Sequence, residues 1–228
     1  MSLILHIDTA TEEAHVSIGR DGVVLKSLFN RSQKDHASFL QPAVQQLAKE
    51  TGIILNDIDA VAVTAGPGSY TGIRVGMASA KGLCYSLKKP LLTLVSLEIL
   101  AASALQQISV QSGDETILLC PMIDARRMEV FTAIYDTGLI NIIPPSAMVL
   151  DENSFSSHLS KTRIFFFGSG SAKWAGLCKD PNASFITTSL LPEAMNLLAY
   201  KMYAAGRFAE LAKSQPLYLK EFNDNTKR

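Results

Sequence analysis

Apolar and polar positions set out a run of strands and then helices along the first half of the chain. Leu3 to Ile7 is a continuous apolar run that stops at Asp8, and Ala14, Val16 and Ile18 then alternate with polar residues, so two strands are predicted. Asp21-Gly22 makes the turn into a third, Val23 to Phe29. From Asp35, a candidate N-cap, the spacing changes to three and four: Phe39, Leu40, Ala43, Val44 and Leu47 share one helical face up to Thr51-Gly52. Pro42 inside this pattern implies a kink or a late helix start. A β-branched run, Ala60 to Thr64, a helix to about Leu87, a strand Leu91 to Leu94 behind Pro90 and a helix through Leu97 to Gln107 complete the order βββαβαβα.

Gln106 to Glu115 is polar and contains Gly113, which places the boundary between two lobes there, 1–106 and 107–228. The second half opens with strands again: Thr116 to Ile123 and Met128 to Tyr135 flank Asp124-Ala125-Arg126-Arg127, and the second ends in an Asp136-Thr137-Gly138 turn. Ile164 to Phe167 is a further buried strand, with Phe165, Phe166 and Phe167 as core, and it runs into Gly168-Ser169-Gly170-Ser171. Leu191-Pro192 opens the one helix of good length, to about Ala205-Gly206, so the second lobe is expected to be smaller and less regular.

The richest local signal lies between the strand at Ala60 and its helix: Gly66-Pro67-Gly68-Ser69-Tyr70-Thr71-Gly72-Ile73-Arg74-Val75-Gly76. A strand, glycine loop and helix N-terminus together present free backbone N–H groups, a common way to hold an anion, while Pro67 fixes one dihedral and makes the loop shaped. It is neither a Walker loop nor the dinucleotide fingerprint, because Lys81 lacks the flanking residues and Thr71 stands where the third glycine belongs. A structural turn and a ligand site both fit. Arg74 in the first helical turn opposes the macrodipole and is expected to have a carboxylate or phosphate partner.

Composition narrows the function classes. The 228 residues are 47% hydrophobic, ample for a core, and 21 Lys plus Arg balance 21 Asp plus Glu, so there is no global basic field to drive nucleic-acid or membrane binding. Cys84, Cys120 and Cys178 are widely spaced and read as reduced, buried thiols, and no apolar stretch approaches membrane-spanning length; a cytoplasmic protein is expected. His6, His15, His36 and His158 have no ligand-like spacing.

Several blocks together resemble a known family: IDTAT at Ile7 to Thr11, VTAGPGSYTGIRVG at Val63 to Gly76, ASAKGL at Ala78 to Leu83, MIDARRMEVF at Met122 to Phe131 and QPLYLK at Gln215 to Lys220. With the βββαβαβα order they resemble the actin-like ATPase superfamily of sugar kinases, heat-shock ATPases and actin, and more closely the TsaB (YeaZ) family, paralogues of the tRNA threonylcarbamoyltransferase TsaD. The resemblance implies an α/β, ribonuclease H-like fold of two lobes with mixed βββαβα sheets, the second reduced. It also implies a non-catalytic subunit of the machinery that places N6-threonylcarbamoyl on adenosine 37 of tRNA, working with TsaD and the ATPase TsaE.

Departures from TsaD bear on the chemistry. Ser96-Leu97-Glu98-Ile99-Leu100 stands where that enzyme carries a metal-binding His-Leu-Glu-Gly-His segment, and Asp124-Ala125-Arg126-Arg127 stands near its second-lobe Gly-Gly phosphate turn. No catalytic residue, no metal site and no tightly held cofactor is therefore expected, with ATP or ADP only at a partner interface. Gly168 to Ala172 is either a remnant of the adenosine turn or a plain strand-to-helix turn. Asp8, Thr9, Ala10, Thr11, Gly66, Gly68, Ser69 and Arg74 are the candidate phosphate-facing residues; the plainer role for Asp8 is to accept from the N–H groups of Ala10 and Thr11. Docking is assigned to two helices, through Phe39, Leu40, Val44, Leu47, Gly72, Gly76, Met77, Ser79, Ala80 and Leu83, where small residues at four-residue spacing let another backbone approach, from this chain's core or from a partner. Implied partners are TsaD and TsaE, a second copy when the chain is alone, and tRNA only through the complex. The competing expectations are a stand-alone actin-like ATPase or small-molecule kinase and, with neither zinc cluster nor triad in view, a peptidase acting on TsaD.

Overall fold

Strand β1 (Leu3–Asp8) pairs antiparallel with β2 (Ala14–Arg20) and parallel with β4 (Ala60–Gly66), which fixes it at the centre of the first sheet. In the computed structural model, which describes residues 1–32, 35–108 and 117–220, β3 (Val23–Asn30) and β5 (Leu91–Val95) close that sheet in the order β3-β2-β1-β4-β5. β6 (Leu118–Asp124), β7 (Glu129–Tyr135), β8 (Asn141–Val149), β9 (Ile164–Phe167) and β10 (Ala183–Phe185) form a second sheet, β10-β9-β6-β7-β8. Read from β8, this repeats the first: three antiparallel strands, then two added parallel. Two such ribonuclease H-like sheets make the expected actin-like α/β fold.

Each buried face follows from period-two alternation. Leu5, Ile7, Val16, Ile18, Val61 and Val63 point to one side of the first sheet, under α1 (His36–Thr51) and α2 (Tyr70–Leu87). Ile4, Ala60, Ala62, Leu92 and Leu94 point to the other, under α3 (Ser96–Leu105) and α6 (Pro192–Ala204). Leu119, Ile123, Ala133 and Tyr135 of the second sheet join the same cluster, so α3 is packed between the sheets. The far face of the second sheet closes on α4 (Ser156–Leu159) and α5 (Ser171–Ala175), whose four and five residues are what reduction of that lobe means in practice. Phe166 and Trp174 pack there with Phe155, edge to face.

Helix limits match the patterning with two differences. α1 starts at His36, so Pro42 lies well inside it and the late start is ruled out; Asp35 is the N-cap but makes no side-chain capping bond. Gly52 ends the helix in the left-handed region at φ 69°, as its position predicts. The polar boundary segment falls mostly outside the described residues. The first sheet precedes it and the second follows, while α6 and the segment after it return to the first sheet.

Candidate functional site

The loop that leaves β1 and the glycine loop that leaves β4 meet each other at the carboxyl ends of neighbouring parallel strands, where open α/β sheets place their sites. Asp8 is fully buried; its Oδ1 accepts from Ala10 N at 2.8 Å, and its Oδ2 has no partner among the described residues. This is the plain turn-forming role, realised toward Ala10. Thr9 Oγ1 donates to the carbonyl of Gly72 at 2.7 Å, and Ser69 N donates to the carbonyl of Ala10 at 2.7 Å. Thr11 Oγ1 donates to Glu13 O, and the Thr11 carbonyl meets His36 Nε2 at 3.1 Å.

These bonds explain the glycines. A Cβ on Gly68 would stand 2.1 Å from the Ala10 carbonyl oxygen, one on Gly72 2.0 Å from the Thr9 carbonyl oxygen and one on Gly76 2.4 Å from Thr9 Oγ1. The small-residue side of α2 is filled by the chain's own β1 loop. Gly66 takes φ 111°, open to glycine, and its outer side faces the Leu217 carbonyl at 3.1 Å from a built Cβ. Ser69 caps α2 by accepting from Gly72 N at 3.3 Å.

Arg74 corrects one expectation. Its Nε donates to the Tyr218 hydroxyl at 2.7 Å and its guanidinium lies 4.0 Å from the centroid of the Tyr70 ring, so phenol and aromatic faces take the place of a carboxylate or phosphate. Tyr218 itself sits against Tyr70, centroids 5.5 Å apart.

The docking residues also need correction. Leu40, Val44, Leu47, Gly72, Gly76, Met77 and Ala80 are buried in the chain's own core, because both helices lay these positions on the first sheet. Phe39, Ser79 and Leu83 are half-buried and remain accessible in part. The outward ridge of α2 is instead Ala78, Gly82 and Tyr85, with Gly82 facing open space and Tyr85 80% exposed.

In the second lobe the β6–β7 turn holds Arg126 and Arg127 at φ 72° and 49°, a conformation glycine would favour, and Lys173 pairs with Asp124 at 2.6 Å. Gly168 and Gly170 fit a strand-to-helix turn pressed onto β6: a Cβ on Gly168 would lie 2.4 Å from Met122 O, and Gly170 N donates to that same carbonyl at 3.0 Å. Ser96 begins α3, and Leu97, Ile99 and Leu100 after it are core residues. Among the described residues no three His, Cys, Asp or Glu side chains are grouped to hold a metal. Cys84 and Cys120 are buried free thiols, pushed up to about 11 and about 12 by loss of hydration, while Cys178 is half-buried.

Patterning did not reveal the buried polar set under α6. His6, His15 and Ser17 face the helix with Asn196, and His6 Nε2, His15 Nε2, Ser17 Oγ and the Asn196 amide have no partner among the described residues. Gly19 is required there, since a Cβ would lie 2.2 Å from Asn196 Nδ2. Burial lowers His6 to about 3 and lowers His15 too, the latter partly offset by Asp8. Patterning also missed residues 209–220, an irregular segment whose only sequence signal is the QPLYLK block.

A family model described as TsaD, tRNA N6-adenosine threonylcarbamoyltransferase, matches residues 6–150. The chain is 31% identical over 225 residues to the tRNA threonylcarbamoyladenosine biosynthesis protein TsaB of Escherichia coli, covering 95% of this chain and 94% of that one. It is 34% identical over 149 residues to the Bacillus subtilis protein of the same name, covering 64% and 62%. Of solved structures, YeaZ from Pseudomonas aeruginosa superposes with a TM-score of 0.76 at 28% identity, over 96% of this chain and 100% of that one. No helix among the described residues is long and apolar enough to cross a membrane.

Proposed function

Because the chain belongs to the TsaB (YeaZ) family of tRNA threonylcarbamoyladenosine biosynthesis proteins, we propose that it serves this pathway as a non-catalytic subunit that seats and braces a TsaD-type transferase. The observation that carries this reading is the filled glycine loop. The side toward which Gly68, Gly72 and Gly76 would carry a Cβ is taken by the Thr9 and Ala10 backbone and the Thr9 hydroxyl, so these glycines serve packing within the chain, and the second-lobe turn presents arginines in place of a glycine pair. What the loop secures is the position of α2.

The surface offered to the transferase is the outer side of α1 and α2. Ala78 and Gly82 let a partner helix approach closely, Tyr85 supplies a projecting aromatic anchor, and Phe39, Ser79 and Leu83 border them. The same surface pairs two copies when no transferase is present. A TsaE-type ATPase joins the assembled pair, any nucleotide binds at the junction of partners, and tRNA is reached through the complex. Size-exclusion chromatography of the chain co-expressed with the TsaD of its own genome tests this: co-elution that Gly82→Arg abolishes without loss of folding supports the surface, and unchanged co-elution rejects it.

The unpartnered Oδ2 of Asp8 favours one other reading, a stand-alone ATPase or kinase that uses this carboxylate. Calorimetry with Mg-ATP on the isolated chain separates the two, since stoichiometric binding with turnover belongs only to the second.

A further inference from the structure

The segment that follows α6 has no regular secondary structure, yet it is tied down along its length. Ala209 N donates to Leu91 O at 2.8 Å, on the free edge of β5. Lys81 Nζ, on α2, donates to the carbonyls of Ala212 and Ser214 at 3.3 and 2.9 Å. Leu217 N donates to Ala65 O at 2.8 Å, Tyr218 accepts from Arg74, and Lys220 pairs with Glu129 at the start of β7. Arg74 and Lys81 are two helical turns apart on one flank of α2, so the segment runs antiparallel along that flank, from Ala212 beside Lys81 to Tyr218 beside Arg74.

Its final bond belongs to the other lobe. One stretch of chain thus joins the β5 edge, α2, the entry to the glycine loop at Ala65 and Gly66, and the second sheet. Besides its two backbone bonds, the segment is held by side chains that water reaches: Tyr218 is 42% exposed, and Lys220 and Glu129 are 44% and 19% exposed. A cavity of about 400 Å³ beside the Leu217–Ala65 bond is lined by Thr93, Leu94 and Val95 of the sheet edge and by Gln215, Pro216 and Leu217 of the segment. Contacts of this kind open locally, well short of global unfolding.

We infer that residues 209–220 are a latch: they cover the entry to the glycine loop and tie α2 to the second sheet, and their release uncovers the loop while the core shared by the two sheets around α3 stays packed. Arg74 is the catch, held between Tyr70 and Tyr218.

Hydrogen exchange read by mass spectrometry on the full chain tests the latch. Tyr218→Ala should raise exchange of the amides between residues 65 and 74 about 5- to 30-fold, with β1 and α6 unchanged, as expected for loss of one hydrogen bond and one cation–π contact. Lys220→Glu should raise exchange in the same loop and at the start of β7, and adding Glu129→Lys should restore protection. Wild-type exchange at 65–74 in Tyr218→Ala, an equal rise across the whole chain, or no restoration by the charge-reversed pair would overturn the inference.

Discussion

The hydroxyl of Thr9 donates to the carbonyl of Gly72 at 2.7 Å, and it occupies the place that a Cβ on Gly76, one turn further along α2, would need. One short side chain thereby fixes the distance between the first strand's loop and the helix. A loop that has the glycines of a nucleotide fold uses them to pack against its own chain.

Adding a methyl group here should be costly. Gly72→Ala puts a Cβ 2.0 Å from a backbone carbonyl that cannot swing aside, and Gly76→Ala puts one 2.4 Å from Thr9 Oγ1. Each should lower stability by about 1–3 kcal/mol, Gly72→Ala the more, as overpacking does. Urea denaturation followed by circular dichroism reads the difference; midpoints equal to wild type would show that the loop is not packed this way. Substitution at Gly76 therefore tests the fold and is no clean probe of docking.

Gly82 behaves oppositely. It is exposed, in mid-helix, with nothing within 4 Å of a built Cβ, so Gly82→Ala should stabilise the chain by up to about 1 kcal/mol through helix propensity. Thermal unfolding of the isolated chain checks this, and a lower melting temperature would contradict it. Tyr85→Ala, on the same ridge, should leave stability within about 0.5 kcal/mol and weaken co-elution with the transferase.

Acid should loosen the protein through its buried histidines. His6 is lowered from 6.5 to about 3 and His15 is lowered in the same direction, both chiefly by burial. A base whose folded pKa is depressed binds its proton more readily in the unfolded chain, so the stability it confers is present above pH 6.5 and is lost as pH falls from there toward 3. Each such histidine removes about 1.4 kcal/mol per pH unit within its window. Urea midpoints measured from pH 8 to pH 4 should be flat and then fall, and His6→Leu should make the fall shallower; a pH-independent midpoint would contradict the assignment.

Much of the fold was legible in the sequence, for identifiable reasons. β1, β4, β6 and β9 are central strands with both faces covered, and their continuous apolar runs announce it. β8 was not legible, because Pro144 and Pro145 argue against a strand; they fall in an irregular stretch of the outermost strand, between Ile143 opposite Ile134 and Ser146 opposite Thr132, where the register with β7 shifts. β10 is three residues long, too short for any period. Small-residue spacing on α2 showed that something approaches closely but not from which side, and the β1 loop answers that. The latch could not be read because its side-chain bonds join Lys81 to Ala212 and Ser214, Arg74 to Tyr218 and Glu129 to Lys220, across 131, 133, 144 and 91 residues, separations no local pattern encodes.

The most direct test of the central claim is omission of this chain from a reconstituted transfer of the threonylcarbamoyl group to tRNA by the TsaD-type and TsaE-type proteins of the same genome. The account predicts that transfer falls to background without the chain and returns when it is added, with the Gly82→Arg variant failing to restore it. Full transfer by the other components alone would contradict it.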